Sequence, residues 1–388
     1  MKCLEITLIP PDRCSGGGMV ILQSVSSMLS VCDVDYIGPH FNQEMLPASE
    51  NRFRVLHYLD RRRRDFGSIT ALLWKGVTTG YYKAWMDIVS GISWEQYDFV
   101  HVEYSRCNFI VHEARKHGRK LLLRMHNIER DYAWKIFIRE KNLLNYIRWR
   151  SFSYNEKRTV KHADRLIFLT KQDACRAALL YHIKKESASI VPVCLERKSI
   201  AGRRKKDGKA IHLLITGTLS YGANADGILW FLTNVWKRLS KDETDNCMLE
   251  IAGAEPSERF MKTASRYRNV KVAASPDDME PYFLEADLYI APVFDGAGMK
   301  VKVAEALSYG VPVAGTAHAW IGYDGIVSGK YMADTADGFL NLIQGILKKQ
   351  VELPSVKDVL DEFETYAGIS CSCKKYRKII SSVVYKDR

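Results

Sequence analysis

No apolar run in this sequence approaches the roughly 18 residues that a membrane-spanning helix needs, which excludes a helical membrane protein. The stretch Met1 to Pro10 is apolar but short and weakly flanked, so it does not read as a secretory leader. Cysteines lack a repeating spacing. There are nine, an odd number in a long chain, and they read as reduced thiols in a cytosolic protein rather than a disulfide frame. No His/Cys/Asp/Glu set has metal-ligand spacing. Cys371-Ser372-Cys373 is too close and too isolated to be half of a zinc site. Acidic residues are in deficit, 45 Asp and Glu against 57 Lys and Arg, a net charge of +12. The excess clusters at Arg61–Arg64, at Lys184-Lys185 and at Arg203-Arg204-Lys205-Lys206. Such clusters suit phosphate-rich partners or an anionic membrane surface, although a solvated basic face has the same composition.

What is present is a two-domain α/β chain. A length of 388 residues exceeds one ordinary domain of roughly 100–200 residues. Short β-rich runs recur with helical stretches between them. In the first half these are Leu4–Ile9, Asp35–Ile37, Phe99–Glu103, Lys120–Arg124 and Arg165–Leu169. In the second half they are Ile211–Thr216, Met248–Ala252, Val270–Val272, Leu288–Ala291 and Pro312–Ala314. Strands alternating with helices predict parallel, doubly wound sheets with helices on both faces. The polar, aperiodic stretch Glu196–Lys209 reads as the linker. The expected domains are therefore residues 1–195 and 210–362, with a helical segment from 363 to 388 that packs away from the second sheet and returns to the first domain.

Ligands of open parallel sheets bind at the carboxyl ends of strands. Gly16-Gly17-Gly18 follows the first strand and opens a helix, where backbone can approach a phosphate or sugar closely. It is not G-x-G-x-x-G, and Asp33 and Asp35 precede the next apolar run, at the wrong end of a strand to meet a ribose. His126 closes the strand Lys120–Arg124 and can contact a substrate hydroxyl, or it can be a structural imidazole. His101 and Glu103 make a weaker pair on the preceding strand. The richest segment runs from Ala291 to Gly310. It reads as a strand end, a loop with Gly296 and Gly298, and a helix start carrying Lys300 and Lys302. Backbone N–H groups at Gly298 and Met299, the helix dipole and two lysines suit an anion. Glu305, further along the same face, suits a ribose. Together they predict a nucleotide diphosphate site.

This segment resembles the donor site of GT-B glycosyltransferases of the retaining family 4 type, in a glycine–lysine version close to G-x-G-x-K-x-K-x-x-E-A. Ile215 to Asn224, Leu249 to Gly253, Ala286 to Pro292, Pro312 to Thr316 and Gly322 to Ile326 resemble further landmarks of the same domain. Arg124-Met-His-Asn-Ile-Glu129 resembles the family's His-containing loop. The resemblance implies two Rossmann-like domains facing across a cleft, an acceptor-side domain first and a nucleotide-sugar donor domain second. It implies a metal-independent, retaining transfer of a sugar to a glycan or lipid-linked acceptor in surface polysaccharide synthesis. No cofactor and no nucleic acid are expected, and the chain is expected in the cytoplasm with possible contact to an anionic membrane. Residue by residue, it places Gly217, Thr218, Asn224, Gly296, Gly298, Met299, Lys300, Lys302 and Glu305 in the donor site. Gly16, Gly17 and Gly18 form the acceptor and phosphate loop, and His126 and Lys302 are the catalytic candidates. Ala297 stands where the family's first acid usually meets the donor sugar, and Thr218-Leu-Ser220 replaces its usual Arg and Lys. Two other readings stay open: a nucleotide-sugar epimerase on the same fold, and a non-catalytic scaffold that binds anions or glycans.

Overall fold

Strand and helix alternate through the chain because short β-branched and aliphatic runs are punctuated by capped amphipathic helices. The computed structural model describes residues 1–13, 15–46, 52–59, 82–106, 108–203, 210–220, 222–296 and 298–385. The basic clusters Arg61–Arg64 and Arg204-Lys205-Lys206, and the departure at Ala297, lie outside the described residues. The chain divides into two compact units. One is Met1–Cys194 joined by the segment that starts at Ser370, and the other is Leu195–Ile369.

The first unit contains, in order, β1 (Lys2–Ile6), α1 (Gly16–Leu29), β2 (Asp33–Pro39), β3 (Phe53–Leu59), α2 (Tyr82–Ser90), β4 (Phe99–Glu103), α3 (Asn108–Lys116), β5 (Lys120–Met125), α4 (Glu129–Glu140), α5 (Leu143–His162), β6 (Arg165–Phe168), α6 (Lys171–Tyr181) and β7 (Ala188–Ile190). The sheet order is β3-β2-β1-β4-β5-β6-β7, and the strand pairs are parallel. Strand order reverses between β1 and β4, so the crevice beyond their carboxyl ends is the topological switch point where ligands of such sheets bind. Every residue of β4 is buried, as expected of a strand covered on both faces.

The second unit contains β8 (Ile211–Thr216), α7 (Gly222–Asn234), α8 (Lys241–Asp245), β9 (Cys247–Gly253), α9 (Glu258–Ala264), β10 (Val270–Ala274), α10 (Glu280–Glu285), β11 (Leu288–Ala291), α11 (Val301–Ser308), β12 (Val313–Gly315), β13 (Lys330–Met332), α12 (Ala336–Leu347) and α13 (Val356–Ala367). Its parallel sheet has the order β10-β9-β8-β11-β12-β13, and the switch point falls between β8 and β11. The last helix, α14 (Ile369–Val384), supplies Tyr376, Ile379, Ile380 and Val383 to the core of the first unit.

Two expected boundaries move. Phe363 does not start a separate segment: it is buried in α13 with Val359 and Leu360, and the crossing back to the first unit comes at Ser370. Residues from Leu195 are not a free linker either. Leu195 N–H donates to Ala367 O (3.0 Å), Ile369 N–H to Leu195 O (3.1 Å) and Lys198 N–H to Ser308 O (3.0 Å). These bonds fix the segment onto the second unit. The edge strands β3, β7 and β13 escaped the sequence reading because their apolar runs are short or interrupted.

Close packing positions the donor-side loops. A Cβ at Gly227 of α7 would stand 2.2 Å from the carbonyl oxygen of Pro292, just past β11. Backbone there cannot yield cheaply, so Gly227→Ala is expected to cost about 1–3 kcal/mol. The check is thermal unfolding, where the second unit should melt several degrees lower; an unchanged midpoint would contradict the packing.

Candidate functional site

In the second unit, the loops after β8 and β11 meet through one amine. Lys302 Nζ donates to Asn224 Oδ1 at 2.9 Å, and Asn224 Nδ2 donates to the Thr218 carbonyl at 3.1 Å. A Cβ at Gly217 would lie 2.5 Å from the same amine. The β11 loop turns through Gly296 (φ 120°) and Gly298 (φ 63°), conformations that a side chain disfavours. Lys300 caps α11 without a side-chain hydrogen bond to the helix, and its Nζ donates to Gly298 O at 3.0 Å. Tyr323 locks the first turn: its hydroxyl accepts from Ala304 N–H (3.0 Å) and donates to Lys300 O (2.7 Å). Below the loops, the Tyr289 hydroxyl lies 3.0 Å from Thr216 Oγ1. The His318 ring reaches Gly296 O at 3.1 Å.

The electrostatics follow from partial burial. Lys302 is pushed down to about 8, chiefly by burial and further by Lys300, against the pull of Glu305. Glu305 is raised by burial, with Lys198 and Lys302 working in the opposite direction. The Lys302 amine donates to Asn224 and feels Glu305 only through the field. Gly217, Thr218, Asn224, Gly296, Gly298, Met299, Lys300, Lys302 and Glu305 thus gather around one switch point. A helix N-terminus, glycine-rich backbone and two lysines at one place can hold an anion. Tyr289 and His318 were missed by sequence reasoning. Tyr323 sits inside the Gly322–Ile326 landmark, which was its only signal.

In the first unit the glycine loop, Tyr104 and His126 come together. Ser15 caps α1 by accepting from Gly18 N–H at 3.0 Å. A Cβ on Gly17 would meet the Tyr104 hydroxyl at 2.4 Å, and one on Gly18 would meet the Asp12 carboxylate at 2.5 Å. Tyr104 follows β4 with φ 69°, a strained setting for a bulky residue. Its ring stacks on the His126 imidazole, with centroids 3.9 Å apart and an 18° interplanar angle. His126 follows β5, is 6% exposed, and places Nε2 at 2.5 Å from Glu103 Oε2.

Beneath this lies a fully buried polar layer. Glu5 pairs in register with His101, and Glu103 with Arg124, so the four share one face of the sheet. His101 Nδ1 is 2.6 Å from Glu5 Oε2. Arg124 Nη1 donates to the Tyr376 hydroxyl at 2.7 Å, and that hydroxyl donates to Ser24 Oγ at 3.1 Å. Burial raises Glu5 to about 7, even against the opposing pull of His101. Burial would also raise Glu103, but His126, His101 and Arg124 outweigh it and hold Glu103 below the usual carboxylate range. Burial lowers His126 more than Glu103 lifts it. Glu5, His101 and Glu103 bring ligand-type atoms within 4.8 Å of one another. The Arg124 guanidinium already supplies positive charge to this layer, which disfavours a cation there. The signal in the sequence was faint: charged residues at alternate positions of otherwise apolar strands.

Comparison with known proteins places this geometry in a known fold. Residues 210–349 match the family model of glycosyl transferases group 1. That part of the second unit is similar to the family, and the chain has the GT-B fold. Solved structures agree on that fold. HepE of Anabaena, crystallised with UDP and glucose, is 12% identical, with a TM-score of 0.68 over 98% of this chain and 100% of that one. WaaG, a glycosyltransferase involved in lipopolysaccharide biosynthesis, is 16% identical, with a TM-score of 0.60 over 100% and 98%. A curated relative from Klebsiella pneumoniae, an uncharacterized 44.6 kDa protein in the cps region, is 28% identical over 229 residues. That match spans 55% of each chain, so the present chain covers about half the length of this relative. The matched segment contains Gly217, Thr218, Asn224, Gly296, Gly298, Met299, Lys300, Lys302 and Glu305. Among the described residues, no helix is long and apolar enough to cross a membrane.

Proposed function

We propose that this chain is a retaining glycosyltransferase that moves a sugar from a nucleotide-diphosphate-sugar to a glycan or lipid-linked acceptor in surface polysaccharide synthesis. The observation that carries the reading is the Lys302–Asn224 bond, which joins both switch-point loops at the start of α11. Lys300 and Lys302 supply the charge that the missing Arg and Lys after β8 would have supplied, and no metal is required of them. Glu305 takes the ribose hydroxyls. The crystals of HepE with UDP and glucose favour a uridine nucleotide. The lipopolysaccharide role of WaaG and the cps-region relative favour a surface glycan as product.

The chemistry is electrostatic. The bond from the anomeric carbon to the diphosphate oxygen breaks, and one to the acceptor oxygen forms on the same face. The acceptor's proton passes to the departing phosphate oxygen. The helix N-terminus and lysines stabilise the charge that develops there, and His126 hydrogen-bonds a substrate hydroxyl.

The exposed face of α4 and α5 fits an anionic membrane surface on which a lipid-linked acceptor would reside. Ile138, Leu143 and Leu144 are exposed, Leu143 by 74%, beside Arg139, Lys141, Arg148 and Arg150. Trp149 is partly covered by Trp134 at 4.6 Å, and Phe152 lies under Arg106 at 4.5 Å, leaving Tyr146 and the aliphatic residues outermost.

Three outcomes are expected. UDP affinity, measured by calorimetry, should hold below pH 8 and fall above it by up to about tenfold per pH unit, because Lys302 loses its charge as pH rises through about 8. Lys302→Met should remove that dependence, and Glu305→Ala should weaken UDP at every pH; a flat wild-type profile contradicts the assignment. Lys302→Ala should cost roughly 100-fold or more in turnover, and near-normal turnover would remove its role at the diphosphate. Leu143→Ser/Leu144→Ser should abolish sedimentation with phosphatidylglycerol vesicles at low salt. Unchanged sedimentation would remove the membrane contact.

A further inference from the structure

Glu103 ends β4, and His126 follows the end of the neighbouring strand β5. Their contact, Oε2 to Nε2 at 2.5 Å, is made where Glu103 has no exposure at all. The groups facing that carboxylate come from every element around it. His101 on β4 has Nδ1 4.0 Å from the other carboxylate oxygen and is itself engaged by Glu5 of β1 at 2.6 Å. Arg124 of β5 stands opposite Glu103 in register. Tyr376 of α14 holds Arg124 by its hydroxyl at 2.7 Å. Glu129 at the start of α4 is occupied by Arg106, Nη2 to Oε2 at 2.5 Å. The surroundings of Glu103 are therefore net positive and keep it ionised.

An ionised carboxylate only accepts hydrogen bonds. The hydrogen between the two groups must therefore sit on His126 Nε2. Burial keeps the ring neutral near pH 7, so Nδ1 carries a lone pair. Among the described residues Nδ1 has no hydrogen-bond partner. Tyr104, stacked on the ring at 3.9 Å, opposes rotation that would exchange the two nitrogens. We propose that Glu103 is the positioning residue for His126, fixing the Nε2–H tautomer and presenting Nδ1 as an acceptor for a substrate hydroxyl. The identity of that hydroxyl rests on the transferase reading; the tautomer does not. The C-terminal helix belongs to the same device, because Tyr376 anchors the arginine that helps keep Glu103 charged.

The test is long-range ¹H–¹⁵N NMR of the full chain labelled with ¹⁵N-histidine at pH 7.5, with the His126 signals assigned by their loss in His126→Gln. Wild type is expected to show a protonated Nε2 and an unprotonated Nδ1. Glu103→Gln keeps the shape but lets its amide donate to Nε2, so the hydrogen should move to Nδ1. Turnover should then fall roughly 100-fold or more, as when a carboxylate that holds a catalytic imidazole becomes an amide, while UDP affinity stays within about twofold. An Nδ1–H ring or an imidazolium in the wild type overturns the proposal, and this spectrum decides even if Glu103→Gln fails to fold. An unmoved tautomer in a folded Glu103→Gln also overturns it. UDP calorimetry on the same samples judges the transferase reading separately.

Discussion

A parallel sheet covered on both faces has almost nowhere to put polar chemistry except beyond its strand ends. That constraint organises this protein. In each unit the strand order reverses once near the middle of the sheet, at β1/β4 and at β8/β11. The loops leaving those strands diverge, and a crevice opens that backbone alone cannot fill. Gly16–Gly18 and Tyr104 line the first crevice. Gly217, Asn224 and the glycine turn before α11 line the second. The functional residues are scattered in sequence because each crevice draws on loops separated by a whole series of strand–helix units.

The two crevices solve different electrostatic problems. In the second, Asn224 holds Lys302, and a backbone carbonyl is among the partners of Lys300. Burial then lowers Lys302, and Glu305 restores only part of that loss. The first must hold a neutral imidazole steady. It does so with a buried carboxylate, which in turn needs buried cations, and these need Tyr376 from the far end of the chain. Each charge on this face of the sheet thus requires the next. Removing one partner would strand the others, which is the costly case for buried ions.

The alternation of strands and helices was legible in the sequence because a parallel strand writes itself as a continuous apolar run. Phe99–Glu103, Ile211–Thr216 and Leu288–Ala291 carry the same limits in both readings. The glycine turn before α11 was legible because glycines in a loop, lysines at a helix start and an acid on the same face are local features. The edge strands β3, β7 and β13 were not, since their apolar runs are short or interrupted, whereas the edge strand β10 was read at Val270–Val272. The end of the first unit was legible to within a residue, but the polar stretch after it belongs to the second unit, because polarity reports solvent contact and not which unit the backbone bonds.

By itself the sequence determined the fold class, the glycine–lysine turn before α11 and the candidacy of His126, each written in neighbouring residues. Only the tertiary structure decided what those residues touch. Lys302 turns to Asn224 rather than to Glu305 three positions on. Glu103, Arg124 and Tyr376 become one buried layer although Tyr376 lies 252 positions after Arg124. The physical reason is that periodicity records which side of an element is buried. The partner across that burial is chosen by register and packing between elements, and no local pattern carries it.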